Sequence, residues 1–419
     1  MSDYLPCEAL INILIRLPAK SLLKFRCVCK SWLSLISSPD FTSAHLCPTT
    51  TKPSLLLRHF SVTPKCREIY SLSSDDNDDF TTLRDLNCPF KTRSGFFHRV
   101  VGCCNGVVCL SDDCFGYTYT IILWNPAIRR HVTLPKPNIC FDDYGPYMHS
   151  LGFGFDPKTS NPKIVRIVYL EEARRGQGYR QYAVPPKVEV FALSTGLWKT
   201  IKGCKIGYHM DEFFWSSVFV NGRVHWTAYS GGKTTGYHNV VLVFDMGSEV
   251  FREVKLPEKL VGVSPLDLAV VGYKDSISIF QYDGRGPYCC RGFTVWAMNK
   301  YGVEESWSKL FTGSLNGGVS TILGFRKSGE VVVAKWDGKL VSCQPGRIKK
   351  IGIRGGKDSF YLGTYAESLI LLDAGKCDQT EDSVSSDGVD DSPDNASVVR
   401  SLEKNSLMHY LFAGHALSY

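Results

Sequence analysis

The sequence predicts a small all-α module followed by an all-β, propeller-like domain of about six blades and an acidic tail, over residues 1–46, 47–375 and 376–419. Three observations carry this. Residues 5 to 46 place apolar side chains at helical spacing between prolines; beyond residue 53 short apolar runs alternate with polar residues and turn formers; hairpin-like segments then recur at a period near 50 residues.

The helical module comes first. In "LPCEALINILIRLP" the residues Leu10, Ile11, Ile13, Leu14 and Ile15 surround nearly the whole circumference of a helix, which predicts burial on all sides. Pro6 suits the first helical turn, and Pro18 breaks the next helix away from it. In "LPAKSLLKFRCVCKSWLSLI" a second stripe, Leu22, Phe25, Cys29, Trp32 and Ile36, is widened by Leu23, Val28 and Leu35. About three short helices follow. A unit of this size buries too little surface to be secure alone. Either the rest of this chain or a protein partner must cover the surplus, and its extent argues for a partner.

The strands come next. "ILWNPAIRRHVTLP", "VEVFALSTGLWKTI", "VLVFDMGSEVFREVKLP" and "FTVWAMNKYGVEESWSKLF" each read as strand, polar turn, strand. Trp124, Phe191, Phe244 and Trp296 occupy equivalent places, 67, 53 and 52 residues apart. Each such hairpin is preceded by another, and Asn105-Gly106 and Asn221-Gly222 are the pairs that a tight two-residue turn requires. Four strands per repeat at this period is the pattern of a kelch-type blade, and such units bury their faces only by stacking radially. A further partial unit runs through "ILGFRKSGEVVVAKWDGKLVSC", and a degenerate first one through residues 53 to 90. "SLLLRHF" and "ESLILL", at 367 to 372, are candidates to share the blade that closes the ring. After Gly375 the chain is acidic, Ser-rich and poor in large apolar residues, a composition that predicts disorder.

Composition excludes several classes. A net charge of +7 over 419 residues, with basic residues only in short pairs, is no nucleic-acid footprint. No apolar run approaches the ~20 residues of a membrane span, and the N-terminus does not read as a signal peptide, so a soluble, cytoplasmic or nuclear protein is expected. The 16 cysteines contain no C-x-x-C, so they are expected as reduced thiols with no structural metal. "SGGKTTG" has Thr227 where a phosphate loop needs glycine, and "GFGFDP" leads into a strand instead of a helix. No catalytic signature emerges, and no cofactor is expected. An active site built from scattered propeller loops would escape these tests.

"LPCEALINILIRLPAKSLLKFRCVCKSWLSLISSPDFTSAHL" resembles an F-box, the helical module that binds the Skp-type adaptor of a cullin-based ubiquitin ligase. "CCNGVVCL", "LWNPAIRR", "GFGFDP", "VEVFALSTGLWK", "FVNGRVHW", "FDMGSEVFREVKLP", "YGVEESWSKLF" and "YAESLILL" resemble, in order, the type 1 F-box-associated region of plant F-box/kelch-repeat proteins, including the S-locus F-box group. Ala9, Asn12 and "NPKIVRI" depart from the usual pattern. The resemblance implies a non-catalytic substrate receptor of a Skp-cullin-F-box ligase in protein ubiquitination, with cullin and RING subunits reached through the adaptor. The alternatives are a stand-alone interaction propeller with a vestigial F-box, or an unrecognised propeller enzyme.

On that reading Leu5, Pro6, Leu14, Leu17, Pro18, Val28 and Trp32 are expected at or under the adaptor interface. For the substrate, connection lengths choose a face. In a four-stranded meander the turns between strands one and two, and three and four, share one rim; the remaining connections share the other. Those others are mostly long here, and 75 residues of them (111–119, 135–150, 171–186, 203–214, 229–239, 281–291) hold 11 of the 20 tyrosines. Tyrosine and arginine are enriched at recognition surfaces. The expected substrate rim therefore carries Tyr144, Tyr147, Arg174, Arg175, Tyr179, Arg180, Tyr208, Tyr237, Arg285 and Tyr288.

Overall fold

The computed structural model describes residues 6–46, 54–61, 67–75, 80–92, 98–113, 119–172, 181–210, 217–232, 235–284, 290–356 and 358–371. The acidic tail lies outside them. Four short helices open the chain: α1 (Cys7–Leu14), α2 (Ala19–Phe25), α3 (Lys30–Ile36) and α4 (Pro39–His45). The sequence predicts about three. The addition is α4, whose start has a clear signal: Ser38 Oγ accepts from Phe41 N–H at 3.2 Å, and Pro39 takes the position where a missing N–H costs nothing.

Two further expectations need correction. The stripe from Leu22 to Ile36 is not one helix, because the chain turns between α2 and α3; Cys29 is thereby left exposed at the N-cap of α3. Leu22 and Ile36 do enter the core, with Phe25 and Trp32 meeting edge to face at 5.5 Å. Nor is α1 buried all round: Leu14 is 1% exposed but Ile13 is 52% exposed.

The rest of the described chain forms six antiparallel sheets. Blade 1 contains Ser54–Ser61, Arg67–Ser73 and Thr82–Leu86; blade 2, Arg99–Cys104, Val107–Ser111, Ile121–Asn125 and Arg130–Thr133. Blade 3 runs Tyr147–Phe155, Pro162–Glu172, Lys187–Ala192 and Leu197–Ile201; blade 4, Ser217–Val220, Arg223–Gly232, Gly236–Asp245 and Val250–Lys255. Blade 5 is Leu268–Tyr273, Ser276–Tyr282, Gly292–Met298 and Trp307–Ser314; blade 6, Val319–Phe325, Val331–Lys335, Lys339–Gln344 and Arg347–Arg354. Middle strands lie between neighbouring blades and read as apolar runs, as in the fully buried Val107–Ser111, whereas outer strands such as Arg347–Arg354 alternate with solvent.

The repeat register holds. Trp124, Phe191, Phe244 and Trp296 all stand on third strands, opposite His131, Trp198, Phe251 and Lys309. Asn105 and Gly106, at φ 49° and 74°, and Asn221 and Gly222, at 50° and 74°, make the tight turns. "GFGF" is explained by packing: a Cβ on Gly154 would sit 2.2 Å from the Phe219 ring of the next blade, so the inner strand needs glycine for blades to approach.

Ring closure differs from expectation in its partner. Ser54–Ser61 pairs with Tyr361–Tyr365, in the register Ser54↔Tyr365 to Arg58↔Tyr361, and not with 367–372. This C-terminal strand is the inner strand of blade 1. The closure is pinned where Ser359 Oγ accepts from Phe60 N–H at 3.0 Å and the Ser359 carbonyl accepts from the Arg58 guanidinium.

Candidate functional site

The two ends of the propeller sequence emerge on one rim. Ser54 and Tyr365 are paired, so the chain enters and leaves the ring at the face of the tight turns. The helical module sits there. Its core residues Leu14, Ala19, Leu22, Ile36 and Phe41 form one cluster with Ile128, from the third turn of blade 2, and Leu369, just past the closing strand. The residues expected to close the ring thus pack against the helices instead.

Asn125 holds this junction. Its Nδ2 donates to the carbonyls of Ser368 (3.0 Å) and Ile370 (2.8 Å), while its Oδ1 accepts from Ala127 N–H. The blade 2 hairpin also presses on the segment, since a Cβ on Gly106 would lie 2.5 Å from the Ala366 carbonyl oxygen. Within the module, His45 Nε2 meets the Leu17 carbonyl at 3.0 Å, tying α4 to the α1–α2 turn. Part of the apolar surplus read from the sequence is therefore covered by this same chain.

Part is not. Of the expected adaptor residues, Leu5 lies outside the described residues, and Leu14 is sealed inside the module, under any interface instead of in it. Leu17 and Trp32 are half-buried; Pro6 and Pro18 are exposed, and Val28 is 61% exposed. Ile13 (52%) and Leu33 (42%) join this open apolar set and were missed. For Leu33 the signal was present, because Leu33 falls off the Phe25–Trp32–Ile36 stripe.

The opposite rim carries the long connections, and buried charge fixes their feet. Glu189 accepts from the N–H groups of Asn138 (2.9 Å) and Ile139 (3.1 Å) and from Arg166 (2.9 Å). Arg166 also donates to the Ile139 carbonyl, which clamps the blade 2 to blade 3 connection onto blade 3. Beside it Asp113 pairs with Arg99 and accepts from His149 Nε2 at 2.8 Å. Burial alone would push the Asp113 carboxyl up, but the Arg99 guanidinium and the His149 bond hold it well below the usual carboxylate range. Burial pushes His149 down to about 4 against the pull of Asp113, so it is a neutral donor.

On this rim Tyr144 is exposed, at the end of the short helix Phe141–Tyr144, with Lys187 Nζ 5.3 Å from its ring centre. Tyr208 donates to Glu253 at 2.6 Å, and its carbonyl accepts from Tyr169. Next to it Tyr169, His209, Tyr229 and Tyr237 form a chain of ring contacts 5.8 to 5.9 Å apart between blades 3 and 4. Arg174, Arg175, Tyr179, Arg180, Arg285 and Tyr288 lie outside the described residues.

Tyr147 is a correction. It is 2% exposed, starts the inner strand of blade 3 and packs with Ile139 and Val168 against the Arg166 guanidinium, so it presents no surface to a partner. The argument from loops shifts with it: Tyr147, Tyr182, Tyr229, Tyr237 and Tyr282 stand in strands, because strands of blades 3, 4 and 5 run further than their sequence suggested. Among the described residues no group of side chains suits a metal ion, and no helix is long and apolar enough to cross a membrane.

The comparisons with known proteins fit this architecture. A family model described as the F-box associated beta propeller domain matches residues 60–370, and one described as the F-box domain matches residues 3–44. An F-box/kelch-repeat protein of Arabidopsis thaliana is 26% identical over 324 residues, covering 74% of this chain and 79% of its own. An F-box protein of the same plant is 25% identical over 407 residues, 88% of this chain and 93% of its own. The solved Dos1 propeller overlays 74% of this chain and 73% of its own at a TM-score of 0.32 and 9% identity, a likeness that carries no argument.

Proposed function

The chain belongs to the F-box-associated β-propeller family, with an F-box ahead of the propeller, and from that premise we propose that it is the substrate-recognition subunit of a Skp-cullin-F-box ubiquitin ligase. The F-box docks the Skp-type adaptor, through it the cullin and RING subunits, and the long-connection rim holds a protein substrate. Catalysis is by proximity, supplied by the other subunits, and this chain carries no catalytic residue. Work of this kind belongs to the cytoplasm or nucleus.

One observation carries the reading. The F-box packs on the rim of tight turns with Ile13, Val28 and Leu33 exposed, while the long connections leave the strands on the other rim. Adaptor and substrate then meet opposite faces and do not compete. Pro6, Leu17, Pro18, Val28 and Trp32, with Ile13 and Leu33, form or border the adaptor face, and Leu5 adjoins Pro6. Tyr144, Tyr208 and Tyr237 belong to the substrate rim, together with Arg174, Arg175, Tyr179, Arg180, Arg285 and Tyr288.

Val28→Asp tests the adaptor half. Buried apolar anchors commonly cost ~2 kcal/mol or more when lost, so co-precipitation of the adaptor should fall about thirtyfold or more with an unchanged circular-dichroism spectrum. Leu14→Asp would not serve, because a charge in the sealed cluster unfolds the helices. For the substrate half, Tyr179→Ala with Arg180→Ala, and separately Tyr208→Ala with Tyr237→Ala, should lengthen substrate half-life in cells while the adaptor still binds. Unaltered half-lives in both, with sensitivity at the tight turns, would move the substrate to the other rim.

A further inference from the structure

Positive charge is concentrated in blade 6. Residues 319–356 hold eight basic side chains against Glu330 and Asp337, a net +6 where the whole 419-residue chain nets +7. Four of the eight, Arg347, Lys349, Lys350 and Arg354, stand on the outer strand Arg347–Arg354, with no acidic residue among them. The other outer strands differ. Thr82–Leu86, Arg130–Thr133, Leu197–Ile201, Val250–Lys255 and Trp307–Ser314 each net between zero and +1, and two of their bases are paired: Arg84 with Glu367 at 2.7 Å and Lys199 with Glu249 at 2.8 Å. Arg347, Lys350 and Arg354 are exposed and have no ion pair among the described residues.

The same strand is an open edge on a firm base. It ends the strand order of blade 6, and among the described residues no strand pairs with its outer side. Ile351 and Ile353 anchor it, packed against the cluster of Leu57, Ala334, Leu340 and Phe360 at the boundary with blade 1. Residues 347–350 run in unbroken register with 341–344; beyond them the ladder shifts, and Gly352 sits at φ 81°. The regular stretch is therefore 347–350, where Ile348 is 55% exposed between the charges.

An open edge offers a row of backbone N–H and C=O groups that only another extended backbone satisfies. Its charge decides which. A second copy of the strand would set like charges against one another, and a neutral strand would leave the cations without partners, whereas an acidic strand answers backbone and side chains together. Nucleic acid matches the charge but not the edge, because no aromatic side chain stands on this strand for bases to stack on. We propose that the outer strand of blade 6 takes up an extended acidic segment of a partner protein as a fifth strand, its carboxylates against Arg347, Lys349 and Lys350 and an apolar side chain beside Ile348. This site uses neither the F-box nor the long-connection rim, so it stands apart from the ubiquitin-ligase reading.

The test uses the full chain and a fluorescein-labelled peptide, Thr-Glu-Glu-Val-Glu-Glu-Thr, with binding read by fluorescence anisotropy at low ionic strength. Arg347→Glu with Lys350→Glu, at two exposed positions where the fold is not disturbed, should weaken binding about tenfold or more, and about 0.5 M salt should abolish it as the charges are screened. Lys255→Glu with Lys309→Glu, the same change of charge on the outer strands of blades 4 and 5, should leave it unaltered. With peptide bound, hydrogen exchange read by mass spectrometry should slow within 347–350, the sign of new backbone hydrogen bonds. No binding, or equal loss in the two double variants, would overturn the site. Loss in the first variant without slower exchange would overturn strand addition. Tighter binding of a seven-nucleotide oligothymidylate than of the peptide, lost in the same variant, would assign the edge to nucleic acid instead.

Discussion

Replacing Ile128 with Ala should loosen the F-box helices and leave the propeller intact. Ile128 belongs to blade 2 by sequence, but its side chain, 5% exposed, completes a cluster whose other buried members are Leu14, Ala19, Leu22, Ile36, Phe41 and Leu369. The change removes about three carbon groups from that contact, at ~0.8 kcal/mol each, so ~2 kcal/mol is lost. A module of this size has little stability in reserve, and that loss falls mostly on it. Hydrogen exchange read by mass spectrometry gives the assay. Amides of α1, α2 and α3 should exchange about thirtyfold faster, the factor that ~2 kcal/mol implies, while the strands of blades 3 to 6 keep their protection. Helix exchange unchanged, with the loss confined to blade 2, would mean that the cluster does not support the module and that the F-box stands without the propeller.

Two further outcomes come from other contacts, one at the F-box junction and one on the opposite rim. Gly106→Ala puts a side chain at φ +74° and a carbon 2.5 Å from the Ala366 carbonyl, so it should cost ~2 kcal/mol or more and lower the melting temperature; a neutral result would refute the contact with 366–368. Stability should also fall on acidification. His149 has its folded pKa depressed to about 4, below its unfolded value near 6.5, so the unfolded chain binds the extra proton and stability drains away as pH falls from about 6.5 towards 4, by ~1–3 kcal/mol. Asp113, also depressed, adds to the loss below about 4, and His149→Gln should flatten the upper part of the profile in urea titrations at each pH.

What could be read from the chain alone was whatever is written in local periodicity. The third-strand aromatic anchors, the Asn-Gly turns and the four-strand repeat follow from side-chain alternation and positive φ, which act over a few residues, and so blade count and strand order were legible. The F-box was legible for the same reason, down to an apolar surplus larger than its own core could use. Contacts between distant segments were not. Leu369 looked like the end of a strand because "ESLILL" is apolar, yet only the ring geometry shows that Tyr361–Tyr365 already fills the closing position and that Leu369 is left to seal the helices. Tyr147 looked like a loop tyrosine because strand length depends on how far neighbouring strands continue to pair, a nonlocal quantity. Which part of the surplus surface the chain covers itself, at Leu14 and Leu22, and which it leaves open, at Ile13, Val28 and Leu33, was likewise decided by where the tight-turn rim happens to meet four short helices, because burial is a property of the assembled surface and not of any residue in sequence.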